Sequence, residues 1–74
     1  MSAAAAERLV QMANQIAREF AAQEPDAPAR ATATHLRRYW DPRMRATIVD
    51  ELAAGGSGLT EVAREAVRIL ADGS

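Results

Sequence analysis

The sequence contains no cysteine, so disulfide bonds, thiolate metal sites and a cysteine nucleophile are excluded. It has no apolar run near the ~18 residues of a membrane span. Its alanine-rich N-terminus also lacks the basic and leucine-rich regions of a signal peptide. We therefore expect a cytoplasmic protein with no membrane partner.

Large hydrophobic residues are scarce, because alanine supplies much of the 49% hydrophobic fraction of the 74 residues. We expect one domain over residues 1–74, and a chain this short buries only about 60% of its unfolded surface. A larger partner, or a homo-oligomer when the chain is isolated, would stabilise it. The expected large core residues are Leu9, Met12, Ile16, Phe20, Leu36, Tyr39, Trp40, Met44, Ile48, Val49, Leu52, Leu59, Val62, Val67, Ile69 and Leu70.

The hydrophobic spacing predicts two helices in the first half of the chain. The first runs from about Glu7, after a frayed start over residues 1–6, to Ala22 or Gln23. Pro28 then suits the first position of the second helix, where its missing N–H is harmless. The predicted buried faces are Leu9, Met12, Ala13, Ile16 and Phe20 in the first helix, and Ala29, Ala33, Leu36 and Trp40 in the second.

Two more helices follow. Asp41-Pro42 separates the second helix from the third, since Asp41 can cap an N-terminus and Pro42 can follow it. Gly55-Gly56 stops the third helix after about Ala54, and Thr60 is the favoured cap of a fourth, which ends before a tail at 72–74. Their predicted buried residues are Met44, Ile48, Leu52, Leu59, Val62, Ala63, Ala66, Val67 and Leu70. The sequence therefore predicts an all-α fold, a small bundle of about four short helices.

No group of residues predicts catalysis or metal binding. His35 has no Asp, Glu or Cys three or four residues away, so a structural or surface role is favoured over a pH-sensitive contact. Adjacent Asp50 and Glu51 diverge by roughly 100° on a helix and are interpreted as surface charge. The Gly55–Gly58 stretch lacks the lysine and preceding strand of a phosphate loop and predicts a turn. We predict no catalytic, cofactor-binding or metal residues, and no enzyme activity of this chain by itself.

Positive charge is concentrated in the middle of the chain. Residues 30–45 hold five arginines and one acid, whereas both flanking regions are net negative. Exposed ion pairs contribute only ~0–1 kcal/mol, so stability is a poor reason for this concentration. Asp41 can pair with Arg45; otherwise, pairing with acids of the third and fourth helices is as probable as a partner-binding surface. The candidate partner-binding residues are Arg37, Arg38, Trp40, Arg43 and Arg45, although Trp40 is favoured as a core residue.

Three stretches of the sequence carry a family resemblance. They are Leu9-Val-Gln-Met-Ala-Asn-Gln-Ile-Ala followed by Phe20, His35-Leu-Arg-Arg-Tyr-Trp-Asp-Pro-Arg-Met-Arg45, and the Gly55-Gly56 turn before Gly58-Leu59. Through them the chain resembles the delta subunit of cytosolic NAD-dependent formate dehydrogenases, from about Arg8 to Leu70. The Trp-Asp-Pro-Arg-Met-Arg run is the most specific part of the match.

The resemblance implies a noncatalytic accessory subunit of an enzyme that oxidises formate to carbon dioxide and reduces NAD. It implies that larger subunits hold a molybdenum or tungsten pterin cofactor, iron–sulfur clusters, FMN and NAD, none bound by this chain. The expected partners are the catalytic and other subunits. The expected role is assembly, stability or cofactor insertion of the catalytic subunit.

The arginines support two versions of this role. They would dock on an acidic surface of the catalytic subunit or, more speculatively, contact the pyrophosphate of the pterin dinucleotide during insertion. The alternative function is a helix-turn-helix nucleic-acid binder whose third helix presents Arg43, Arg45 and Thr47 to DNA. The net charge of -1 and the nearby acids Asp50 and Glu51 disfavour that alternative.

Overall fold

The computed structural model describes residues 3–73, and they form four helices without any strand. The helices are α1 (Ala3–Gln23), α2 (Pro28–Tyr39), α3 (Pro42–Ala53) and α4 (Glu61–Ala71). The predicted all-α bundle is therefore confirmed. At 1.5 Å per residue, the 21 residues of α1 span nearly the whole 34 Å length of the molecule. None of these helices combines the length and hydrophobicity that a membrane crossing needs.

One proline and two capping side chains set the starts of α2, α3 and α4, as predicted. Pro28 lies in the first turn of α2. The Asp41 carboxylate accepts a hydrogen bond from the Met44 N–H at 2.9 Å and so caps α3. The Thr60 hydroxyl accepts one from the Ala63 N–H at 3.4 Å at the start of α4. Each cap satisfies an N–H group that has no partner within its own helix.

Two predicted boundaries need correction. The first helix already begins at Ala3 instead of Glu7, because alanine has the highest helix propensity and Ala3–Ala6 can extend the helix without a cap. The third helix ends at Ala53, one residue before the predicted end. Met1, Ser2 and Ser74, which belong to the predicted frayed start and tail, lie outside the described residues.

All four helices contribute to the core, and α1 and α4 each pack against the three other helices. Alanines at several of its positions let the helix backbones approach closely. Its buried residues are Leu9, Ala13, Ala17, Leu36, Trp40, Ile48, Leu59, Ala63, Val67 and Leu70, and its partly buried residues are Val10, Ile16, Met44, Val49, Leu52 and Val62. The predicted faces of α3 and α4 are confirmed.

The predicted core differs from the observed one at several positions: Phe20 and Ile69 are only partly buried and lie outside the core cluster. Met12 and Tyr39 were expected in the core but are 38% and 67% exposed. Consecutive helical residues are 100° apart, so a face centred on Ala13 places Met12 at its edge and buries Ala17. Thr32, a residue missed by the hydrophobic pattern, is fully buried, because its hydroxyl donates to the Pro28 carbonyl at 2.8 Å.

Side chains from α1 and α4 hold the glycine-rich loop that joins α3 to α4. The Asn14 amide donates to the Gly58 carbonyl and accepts from the Thr60 N–H, both at 2.9 Å. The Arg64 guanidinium donates to the Gly55 and Gly56 carbonyls at 2.9 and 2.8 Å. The loop is therefore a fixed connection between two helices, as the sequence predicted.

Candidate partner-binding surface

Arg45 stabilises the corner between α2 and α3. Its guanidinium, which is half-buried, donates to the Arg37 and Trp40 carbonyls at 3.0 and 2.6 Å. Carbonyls at a helix C-terminus lack partners within the helix, and a cation there complements the helix dipole. The predicted Asp41–Arg45 ion pair is wrong: over residues 3–73 the ion pair that forms joins Glu65 to Arg68. Arg45 is thus committed to the fold.

Trp40 also belongs to the fold. Its backbone ends α2, with its N–H bonded to the Leu36 carbonyl at 3.0 Å, and its side chain is only 5% exposed. The interpretation of Trp40 as a core residue is confirmed. A partner that docks on the surface of this conformation can reach little of its indole ring.

The remaining candidate arginines face solvent. Arg37 and Arg38 lie in the last turn of α2, and Arg43 lies in the first turn of α3. All three are exposed, and so is Arg30, which lies about two turns before Arg37 on α2. Within residues 3–73 no ion pair joins them to Asp50, Glu51 or the acids of α4, so the internal pairing considered for them does not occur. Together Arg30, Arg37, Arg38 and Arg43 form what we term the arginine surface.

Aromatic side chains line a groove beside the arginine surface. The His35 ring lies between two others, with its centroid 5.8 Å from that of Phe20 in an edge-to-face arrangement and 4.7 Å from that of Tyr39. These separations are typical of attractive ring pairs. The groove has a volume of about 390 Å³, and Ala31, Thr34 and Arg38 also line it. We term it the aromatic groove.

Sequence reasoning did not find this groove, because it assigned both Phe20 and Tyr39 to the core, Phe20 from the hydrophobic spacing of the first helix and Tyr39 as one of the few large side chains. The spacing of His35 and Tyr39, four residues apart on α2, was the available signal. The position of Phe20 against them depends on how α1 packs on α2, which local spacing cannot give. His35 therefore has a structural contact with two rings, as favoured from the sequence. Among residues 3–73, no three His, Asp or Glu side chains are grouped so that they could hold a metal ion.

These observations define a class of protein: a small all-α domain with unpaired guanidinium groups on α2 and α3 and an aromatic groove between α1 and α2. Comparison with protein families matches residues 8–67 to FdsD, the delta subunit of NADH-dependent formate dehydrogenase. The chain belongs to this family, as the resemblance of its three stretches predicted. Comparisons with curated proteins and with solved structures gave no match.

Proposed function

We propose that this chain is a noncatalytic accessory subunit that docks through its arginine surface on an acidic surface of a larger formate dehydrogenase subunit. Docking would support assembly, stability or cofactor insertion of the catalytic subunit in the cytoplasm. The molybdenum or tungsten pterin, the iron–sulfur clusters, FMN and NAD would be held by the larger subunits. Family membership supports formate dehydrogenase subunits as the partners, and the exposed guanidinium groups support the proposed contact.

The observation that carries this proposal is the division of the arginines into two sets. Arg45 and Arg64 bind backbone carbonyls within the domain. The guanidinium groups of Arg37, Arg38 and Arg43 are exposed, and within residues 3–73 they form no hydrogen bond or ion pair. Guanidinium groups bind carboxylates through paired hydrogen bonds, and arginine is enriched at the energetically important positions of interfaces.

The same division weakens the nucleic-acid alternative. A helix-turn-helix protein would use α3 as its recognition helix, and Arg45 was to be one of its DNA contacts. That guanidinium is turned back toward the end of α2. The exposed face of α3 also carries Asp50, whose carboxylate would approach the phosphates.

Affinity copurification tests the proposal. The triple variant Arg37→Glu, Arg38→Glu, Arg43→Glu reverses the charge at three of the four residues of the arginine surface. It leaves Arg45 in place. The matched control, Arg8→Glu, Arg18→Glu, Arg68→Glu, changes the net charge equally at exposed sites elsewhere. We expect the wild type and the control to recover formate dehydrogenase subunits, and the triple variant to lose them. Equal recovery with the triple variant would contradict docking through these arginines.

Mass spectrometry and metal analysis of the eluate then separate the two roles. Stoichiometric recovery of a metal-loaded complex would identify a resident subunit, and recovery of only the cofactor-free catalytic chain would identify an assembly factor. Recovery of neither would contradict the proposed function. In that case a steeply salt-dependent affinity for a DNA duplex would favour the nucleic-acid alternative.

A further inference from the structure

The exposure of Tyr39 is not explained by the stability of the domain. The chain has three aromatic residues in total, and a small core gains most from its largest side chains. Yet the Tyr39 ring is 67% exposed, the largest exposed hydrophobic side chain over residues 3–73. It also adjoins the His35 ring, which in turn contacts Phe20, and both of these rings are only partly covered. Exposed apolar surface of this kind marks binding sites more often than single scattered residues do.

The groove is preformed. Phe20 comes from α1 whereas His35 and Tyr39 come from α2, and these two helices pack directly on each other. The small Ala31 side chain leaves the space between them open. A site fixed by helix packing needs little ordering when a ligand binds, which lowers the entropic cost of association. The groove can accept one large apolar side chain against its rings.

The charged residues around the groove indicate which groups the bound segment carries besides its apolar side chain. Arg38 lies on the groove itself, and Arg37 and Arg43 lie at the corner between α2 and α3, where the groove-lining residue Tyr39 ends α2. An occupant that fits both features brings carboxylates next to an apolar anchor. Glu24 also lies on the groove, and its carboxylate would repel any anion beside it, so the carboxylates of the occupant must lie on the Arg38 side. The combination therefore favours a protein segment over a nucleic acid.

We propose that the aromatic groove binds one apolar side chain from an acidic segment of a larger formate dehydrogenase subunit, while the arginine surface binds the neighbouring carboxylates. This inference rests on the proposed function and adds to it a specific anchor. The arginines give the attraction and its salt dependence. The groove gives the selectivity, because only a segment with an apolar residue at the right place fills it.

The test measures the dissociation constant between the full chain and formate dehydrogenase. The enzyme is produced without this chain, in the organism from which the chain comes. Tyr39→Ala empties one wall of the groove, and Met12→Ala is its control, since Met12 is the other exposed large hydrophobic residue of the described chain. We expect Tyr39→Ala to weaken binding about tenfold or more. Met12→Ala and the conservative Tyr39→Phe should change it less than about threefold.

A second variant separates groove filling from attraction between charges. Thr34→Arg adds a positive charge and places a long side chain at the exposed lining of the groove. If charge alone governs docking, this variant binds as well as or better than the wild type. If the groove must be occupied, it binds about tenfold more weakly. Circular dichroism of each variant checks that it is folded, which we expect because both positions are exposed.

The outcomes distinguish this inference from the proposed function. Failure of the wild-type chain to bind the enzyme would overturn both. Normal binding by Tyr39→Ala and Thr34→Arg, with loss in the arginine triple variant, would overturn the groove and retain the arginine docking. Tyr39-dependent self-association, or Tyr39-dependent binding to a DNA duplex, would overturn the assignment of the occupant to a formate dehydrogenase subunit.

Discussion

Arginine residues that lie close together in the sequence have different tasks in this protein. Arg43 and Arg45 are two residues apart, and both lie in the first turn of α3. On a helix, residues two apart point in directions that differ by roughly 200°. Arg45 therefore reaches back to the end of α2, whereas Arg43 points to solvent. Charge density in the sequence indicated the surface, but only the fold shows which charge is available to a partner.

At this scale we predict that Arg45→Ala lowers the unfolding free energy by about 1–2 kcal/mol. The substitution leaves two carbonyls at the end of α2 without their charged donor. Arg43→Ala removes the same charge from the same helix, and we expect a change within about 0.5 kcal/mol because Arg43 is exposed. Urea unfolding followed by circular dichroism measures both. Equal losses for the two variants would contradict the structural role of Arg45.

The helices were predictable wherever one residue dominates the local backbone geometry. Pro28, Asp41 and Thr60 each fix a helix start by restricting the backbone or by capping, and these interactions involve only a few neighbouring residues. The start of α1 was not predictable in this way, because the alanines at positions 3–6 carry no boundary signal. Propensity alone decides there, and alanine favours extension.

Packing was less predictable than the helix boundaries. Met12 belongs to the predicted buried face of α1 and Ala17 does not, and size also favours the methionine as core. The structure buries the alanine, because where a face points depends on the helices that cover it. The aromatic groove escaped prediction for the same reason, since its rings come from two helices and the contacting pair Phe20 and His35 is 15 positions apart. The positive charge of the helix corner, by contrast, was visible in the sequence.

The end of α3 gives a prediction at the scale of the element. Gly56 has a φ of +58°, and a Cβ there would lie 3.1 Å from the Arg64 guanidinium and 3.2 Å from a Leu52 methyl group. We predict that Gly56→Ala lowers the unfolding free energy by about 2 kcal/mol, from left-handed backbone strain and from displacement of Arg64.

Gly73→Ala is the control for that substitution. Gly73 also has a positive φ, of +73°, but a Cβ there would have nothing within 4 Å. It lies after the end of α4, where the chain can relax at little cost. We expect a loss of at most about 1 kcal/mol, measured by the same urea titration. A loss as large as that of Gly56→Ala would show that backbone strain alone sets the cost.

At the scale of the whole molecule, surface area and charge both favour a protein completed by a partner. The accessible surface is 4670 Å². An interface of ordinary size, with ~800 Å² on each side, would cover about a sixth of it. The exposed side of α2 carries Arg30, Arg37 and Arg38 without any acid, so its charge is opposite to that of the chain as a whole. Docking there would neutralise the one strongly positive part of the surface.

Docking should therefore stabilise the whole domain, because a partner that binds only the folded chain shifts the folding equilibrium. With formate dehydrogenase lacking this chain present at about 100 times the dissociation constant, the expected gain is ~2.7 kcal/mol. We predict that amide hydrogen exchange around Ile48 and Val67, which are fully buried, slows about 100-fold on mixing. These amides lie in α3 and α4, away from the groove, so direct shielding by the partner does not explain slower exchange.

The Arg8, Arg18, Arg68 charge-reversal control should show the same slowing, and the Arg37, Arg38, Arg43 variant should show none. Slowing that persists in that variant would mean that the partner contacts another face of the bundle.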